Sequence, residues 1–205
     1  MKLKQNACAK QSSESKYIQM TTEPVEKLIL KLAVPTIISM LVTAFYNLAD
    51  TFFIRQLKSD KTRLIMNKRC AEMFGLGEVM ANGDNLQIAE DFNVEAVPAY
   101  NTTEGHLQFH PKGRDNGYLI TLDGLRIYIA GDTEDIPEME NIKDIDIAFL
   151  PCNQPYTMTT EQLANAAKTI KPKVLFPYHY GQTNVTTLPE ELKADGIDVR
   201  IRHYE

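Results

Sequence analysis

Residues 117–131, GYLITLDGLRIYIAG, constrain the fold more than any other stretch of the chain. Two apolar, β-branched runs meet through Asp123-Gly124, a dipeptide that favours the tight turn of a β-hairpin. Around this hairpin, short apolar runs alternate with turn signals. Residues 93–100 (NVEAVPAY) read as a strand entering a loop. Residues 146–150 (DIAFL) read as a short buried strand stopped by Pro151, and residues 174–178 (VLFPY) as another that runs into His179. A final strand is expected over 197–203. Two helices interrupt the series. Residues 159–170 have Thr159 or Thr160 as N-cap and place Leu163, Ala166, Ala167 and Ile170 on one face, and residues 188–194 form a shorter one. Strands mixed with helices predict a layered α/β domain.

The first third of the chain has another character. Of its 205 residues, those through Lys61 carry nine Lys/Arg and five Asp/Glu, a net of +4; the remainder carry 13 against 22, a net of −9. The overall charge of −5 gives no basis for nucleic-acid binding. Residues 1–20 are polar, without the apolar core of a secretory signal, and are expected to be a disordered tail. Residues 32–48 (LAVPTIISMLVTAFYNL) hold no charge, the lower limit for a membrane-crossing helix. The expected organisation is therefore a tail over 1–20, an apolar helix over 21–57 and an α/β domain over 58–205. Cys8, Cys70 and Cys152 are too few and too scattered for a disulfide framework or a cysteine zinc site. Cys70 and Cys152 read as small buried residues. The expected setting is a reducing, cytoplasmic one, with membrane association through residues 28–54.

Chemistry-bearing residues follow strand ends. Gly131-Asp132-Thr133-Glu134 comes directly after the second hairpin strand, and Tyr178-His179-Tyr180-Gly181 after a later one. A carboxylate and an imidazole brought together at a sheet edge suit zinc, manganese or iron. Alone, a Gly-Asp pair is usually a turn and a single histidine usually structural. His110, before Pro111, is either a further ligand, a substrate-pocket residue or a loop histidine. Lys112, Tyr100, Asn101 and Arg114 share its loop region, and the first three are candidates for contacting a small-molecule, anionic substrate; Arg114 reads as solvated loop charge. His106 suits a loop better than a metal-binding helix, and His203 reads as uninvolved.

From residue 64 to 205 the chain resembles the C-terminal half of a metallo-β-lactamase-fold hydrolase. VEAVPAYN, FHPKGRDNGYLI, DGLRIYIAGDTEDIPEM, DIAFLPCNQPYTMT and KPKVLFPYHYG carry the resemblance, in order. It points to the branch with lactonase-like and phosphodiesterase-like members, and to a partial αββα fold. It implies that Asp132 bridges two divalent ions, zinc or manganese, that His179 is a terminal ligand, and that the metals activate a water. It also implies His110 as a third candidate ligand.

Residues 21–54, TTEPVEKLILKLAVPTIISMLVTAFYNLADTFFI, resemble instead the N-terminus and first helix of a MATE-type multidrug efflux transporter. Transport needs roughly a dozen spans around a central cavity, and the chain has no second apolar span of adequate length.

One motif is missing. The hydrolase family's main metal motif, His-x-His-x-Asp-His, belongs to its N-terminal half. This chain has four histidines, His106, His110, His179 and His203, and none forms it. Asp132, His179 and His110 are fewer ligands than two metals need. The expectation is thus a metal-dependent hydrolase with weak or no activity of its own. The alternatives are a membrane-anchored, transporter-derived fragment or a non-catalytic fusion product. Half of a two-sheet fold should also leave an apolar sheet face open to oligomerisation.

Overall fold

The computed structural model describes residues 62–202. These lie almost wholly within the second of two units, residues 63–205. Transporter-like residues 21–54, the expected tail and His203 lie outside the described residues. Among the described residues, no helix is long and apolar enough to cross a membrane.

The unit opens with strand β1 (Ile65–Met66), helix α1 (Lys68–Phe74) and β2 (Glu78–Val79), with β1 and β2 paired in parallel. Five strands follow: β3 (Asn85–Ala89), β4 (Phe92–Ala99), β5 (Asp115–Leu122), β6 (Leu125–Ile129) and β7 (Ile147–Pro151). Then come α2 (Thr160–Ile170), β8 (Val174–Tyr178), α3 (Leu188–Glu191) and β9 (Asp198–Val199). Strands β3 to β9 form one seven-stranded sheet in sequential order. Its first four strands are antiparallel and its last four parallel, so β6 is the junction.

The hairpin forms as expected. Leu122 pairs with Leu125, and Asp123 and Gly124 take φ of 48° and 78°, both left-handed. Helix α2 starts at a reciprocal capping box: the Gln162 amide donates to Thr159 Oγ1 (3.1 Å), and the Thr159 amide donates to Gln162 Oε1 (2.8 Å). Its apolar face, Leu163, Ala164, Ala166, Ala167 and Ile170, packs on Tyr128, Ala148, Leu150 and Leu175, which the strand pleat turns to the same side. This is the main core.

The opposite face of the sheet is partly covered. Met80 packs there on Val94 and Ala96, with Ile65, Leu86, Tyr118 and Ile120 around them. Further along, Ile129, Phe149 and Phe176 are in register across β6, β7 and β8, and the Phe149 and Phe176 rings stack at 5.2 Å. Ile129 remains 36% exposed.

Two expectations need correction. The final strand is two residues long, not seven. Arg200 still donates to the Leu175 carbonyl, but the next ladder donor in β8 toward β9 is Pro177, which has no N–H. The helix expected over 188–194 is one α-turn, followed by a separate 3-10 turn at Lys193–Asp195 that ends in left-handed Gly196. Helix α1 and strand β3 are not among the expected elements; they are seven and five residues long and have no buried residue between them.

Candidate functional site

Topology decides which loops meet. Strands β6, β7 and β8 are parallel, so their C-terminal ends lie together; β5 runs opposite to β6, which puts its start at that edge, and β4 ends there too. Ala99 is paired with Asp115. Tyr100, His110, Asp132 and His179, scattered over some 80 positions of sequence, therefore sit along one rim of the sheet.

The Gly131-Asp132 turn depends on close backbone approach. Gly131 has φ of 71°, and a Cβ there would lie 2.6 Å from the Asn116 carbonyl oxygen. Across the rim, Tyr178 donates its hydroxyl to the Gly131 carbonyl at 2.8 Å, tying the end of β8 to the turn that presents Asp132. Burial, and then the nearby Asp132 carboxylate, push the Tyr178 phenol well up, which keeps it a donor. His179 follows with φ of 53°, a left-handed conformation that is strained for a residue with a side chain. Asp132 and His179 line one cavity of about 570 Å³, whose other walls are Ile129, Phe149 and Tyr178.

His110 reaches the rim from the other side. Its Nδ1 lies 3.1 Å from Asp115 Oδ2, and its Nε2 lies 3.7 Å from Asp132 Oδ2. Burial pushes the Asp115 carboxyl up, but hydrogen bonds from Arg114 and His110 outweigh it and hold the group below the ordinary carboxylate range. An ionised Asp115 only accepts, so Nδ1 carries the proton and the ring is oriented with Nε2 toward Asp132. Arg114 is not the solvated charge expected: its Nη2 donates to Asp115 at 2.6 Å and to the Phe109 carbonyl.

Thr133 and Glu134, beside Asp132, are anchors that sequence reasoning missed. Both are fully buried. Tyr100 donates its amide to Thr133 Oγ1 (3.1 Å), and Glu134 Oε2 accepts from the amides and hydroxyls of both Thr102 and Thr103 at 2.7–2.9 Å. Burial alone would raise the Glu134 carboxyl, but these donors hold it below its usual value. The signal available in the sequence was the Thr102-Thr103 pair just beyond the end of β4.

Tyr100 and Asn101, expected at the substrate, are themselves buried and do not line the Asp132–His179 cavity. The Tyr100 hydroxyl donates to Glu138 (2.8 Å), and Asn101 donates to the His106 and Tyr156 carbonyls. Lys112, at the rim, is engaged by Glu138 (2.8 Å) and by the Tyr100 hydroxyl (3.1 Å). His106 lies in a turn with Nδ1 3.4 Å from Glu134. Burial pushes the Cys152 thiol up to about 11, in keeping with an inert core residue.

A metal suits these donors in kind. The 3.7 Å between His110 Nε2 and Asp132 Oδ2 is too long for a hydrogen bond and near the spacing of two ligands on one ion with bonds of ~2.0–2.2 Å. In number they fall short. Among the described residues, no group of three His, Cys, Asp or Glu side chains is gathered closely enough to hold an ion.

Known proteins resemble the chain over most of its length. A crystal structure of a candidate metal-dependent hydrolase from Parabacteroides distasonis is 55% identical, with a TM-score of 0.72, and the match covers 74% of this chain and 69% of that one. A UPF0173 metal-dependent hydrolase of Thermococcus kodakarensis is 34% identical over 157 residues, 74% of this chain and 61% of its own. One from Pyrococcus abyssi is 31% identical over 129 residues, 60% of this chain and 56% of its own. The chain thus spans roughly half the length of the curated relatives it matches. Igni18, a metallo hydrolase of Ignicoccus hospitalis, shares the fold at 22% identity and a TM-score of 0.60. The model of the beta-lactamase superfamily domain matches residues 18–179. That match takes in residues 21–54, which the sequence reading had set apart as transporter-like. With the strand-end aspartate and histidine brought to one rim and the family match spanning most of the sequence, the chain belongs to the beta-lactamase superfamily.

Proposed function

We propose that this chain carries one side of a metal-dependent hydrolase site, built from Asp132, His179 and His110, and that by itself it hydrolyses weakly or not at all. The observation that carries this reading is the convergence on one rim. Asp132 and His179 share a cavity, and His110, oriented by Asp115, turns its Nε2 to Asp132. The relatives from Thermococcus kodakarensis and Pyrococcus abyssi are named metal-dependent hydrolases, which supports a metal here, and zinc or manganese suits the donors.

Weak activity follows from the donor count. The chain has no His-x-His-x-Asp-His sequence, and the described residues do not complete a ligand set. What these residues do is positional: Tyr178 holds the turn of Asp132, Glu134 and Thr133 clamp the loop leading to His110, and Asp115 sets its tautomer.

The test is metal binding by the full chain. Titration with zinc and with manganese, followed by calorimetry, is expected to show one weak site whose affinity falls at least ~10-fold in Asp132→Ala and His179→Ala. Hydrolysis of generic lactone and phosphodiester substrates is expected to stay near background. Metal binding unchanged by both substitutions would refute the assignment, and rapid turnover would refute the weak activity.

A further inference from the structure

A second cavity lies behind His110. Lys68 and Arg69 at the start of α1 face Lys112 and Arg114 of the loop between β4 and β5 across a space of about 350 Å³, which Glu72 also lines. Asp115 joins the two walls. It accepts from Asn67 Nδ2 (3.2 Å), the residue preceding α1, and from Arg114 Nη2 (2.6 Å), and it is the same carboxylate that meets His110. Asp115 thus fixes Arg114 directly and ties the residue before Lys68 to the same wall.

Their charge is unevenly answered. Arg114 is paired with Asp115, and Lys112 with Glu138. Lys68 lies 3.9 Å from Glu72, and Arg69 forms no ion pair with a described carboxylate. Four cations gather at this space against the carboxylates of Glu72, Asp115 and Glu138, which leaves one positive charge in excess and favours an anion. A guanidinium beside an ammonium suits the several oxygens of a phosphate better than the two of a carboxylate.

We infer that this cavity binds the phosphate group of a small molecule, with Lys68 and Arg69 as its principal contacts. Arg114 Nη2 lies 3.5 Å from His110 Nδ1, so the cavity and the Asp132 rim share a wall. That the phosphate is one end of the molecule acted on at the rim rests on the function proposed above; the binding of phosphate does not.

Inorganic phosphate, titrated into the metal-free full chain at low ionic strength and followed by calorimetry and by arginine side-chain NMR signals, tests the site. Saturable binding is expected, weakened at least ~10-fold by Lys68→Glu with Arg69→Glu and by raising the salt. Both positions are exposed, and circular dichroism checks that the double variant stays folded. Glu72→Gln, which removes the lining carboxylate, is expected to tighten binding. Asp132→Asn is expected to leave it unchanged, so a chain that binds phosphate but no metal would defeat the hydrolase reading and spare this one. Acetate binding as tight as phosphate, or phosphate binding indifferent to the double variant, would overturn the inference.

Discussion

Glu134 shows how much of a catalytic-looking motif can be structural. In Gly131-Asp132-Thr133-Glu134, the aspartate faces the cavity while the two residues after it are buried and spend their oxygens on the Tyr100–Thr103 loop. Glu134→Gln removes the charge that strengthens four hydrogen bonds to one buried oxygen, and should destabilise the domain by roughly 1–3 kcal/mol. The pH dependence has a definite sign. Because folding lowers this carboxyl from its usual 4.5, the stabilisation is complete above that pH and is lost as the pH falls below it through the folded value. Acid unfolding of the parent should therefore steepen below about pH 4.5 relative to Glu134→Gln; parallel curves for the two proteins would rule out this role. The aspartate was legible beforehand because a strand-end Gly-Asp is a recognisable turn. The glutamate was not, because its partners are 31 and 32 residues away.

Local rules predicted the elements that local forces dominate. Strand β5, strand β6 and their Asp123-Gly124 turn form where the apolar runs and turn dipeptide place them. Helix α2 begins at its capping threonine for the same reason. Thr159→Ala removes one half of the capping box and should cost about 1 kcal/mol in chemical denaturation, while Thr159→Ser should retain most of it. Equal losses in the two variants would mean that the methyl group, and not the hydroxyl, holds the helix start. Elements that depend on distant neighbours were less predictable. Strand β9 ends where Pro177 of another strand withholds a donor, and the short pairing of β1 with β2 has no local signature.

Within the unit of residues 63–205, the sheet is covered on one face by α2, α3 and neighbouring turns. Its other face keeps a row of Ile129, Phe149 and Phe176 beside the cavity of Asp132 and His179. A cavity with apolar walls of this size should bind an environment-sensitive dye such as ANS, with fluorescence at least halved by Ile129→Glu, a substitution at a position already 36% exposed. Undiminished fluorescence would place the dye elsewhere.

From the order of its residues alone, this chain determined its α/β class, its hairpin, its main helix and the strand ends that carry Asp132 and His179. Those follow from periodicity, turn chemistry and capping, which act over a few residues. Which strand ends share a rim, that Asp115 orients His110, that Tyr100 and Asn101 are buried supports, and that Lys68 and Arg69 face Lys112 and Arg114 were decided only by the tertiary structure. Each of these depends on parallel or antiparallel register between strands far apart in sequence, and no local rule encodes that register.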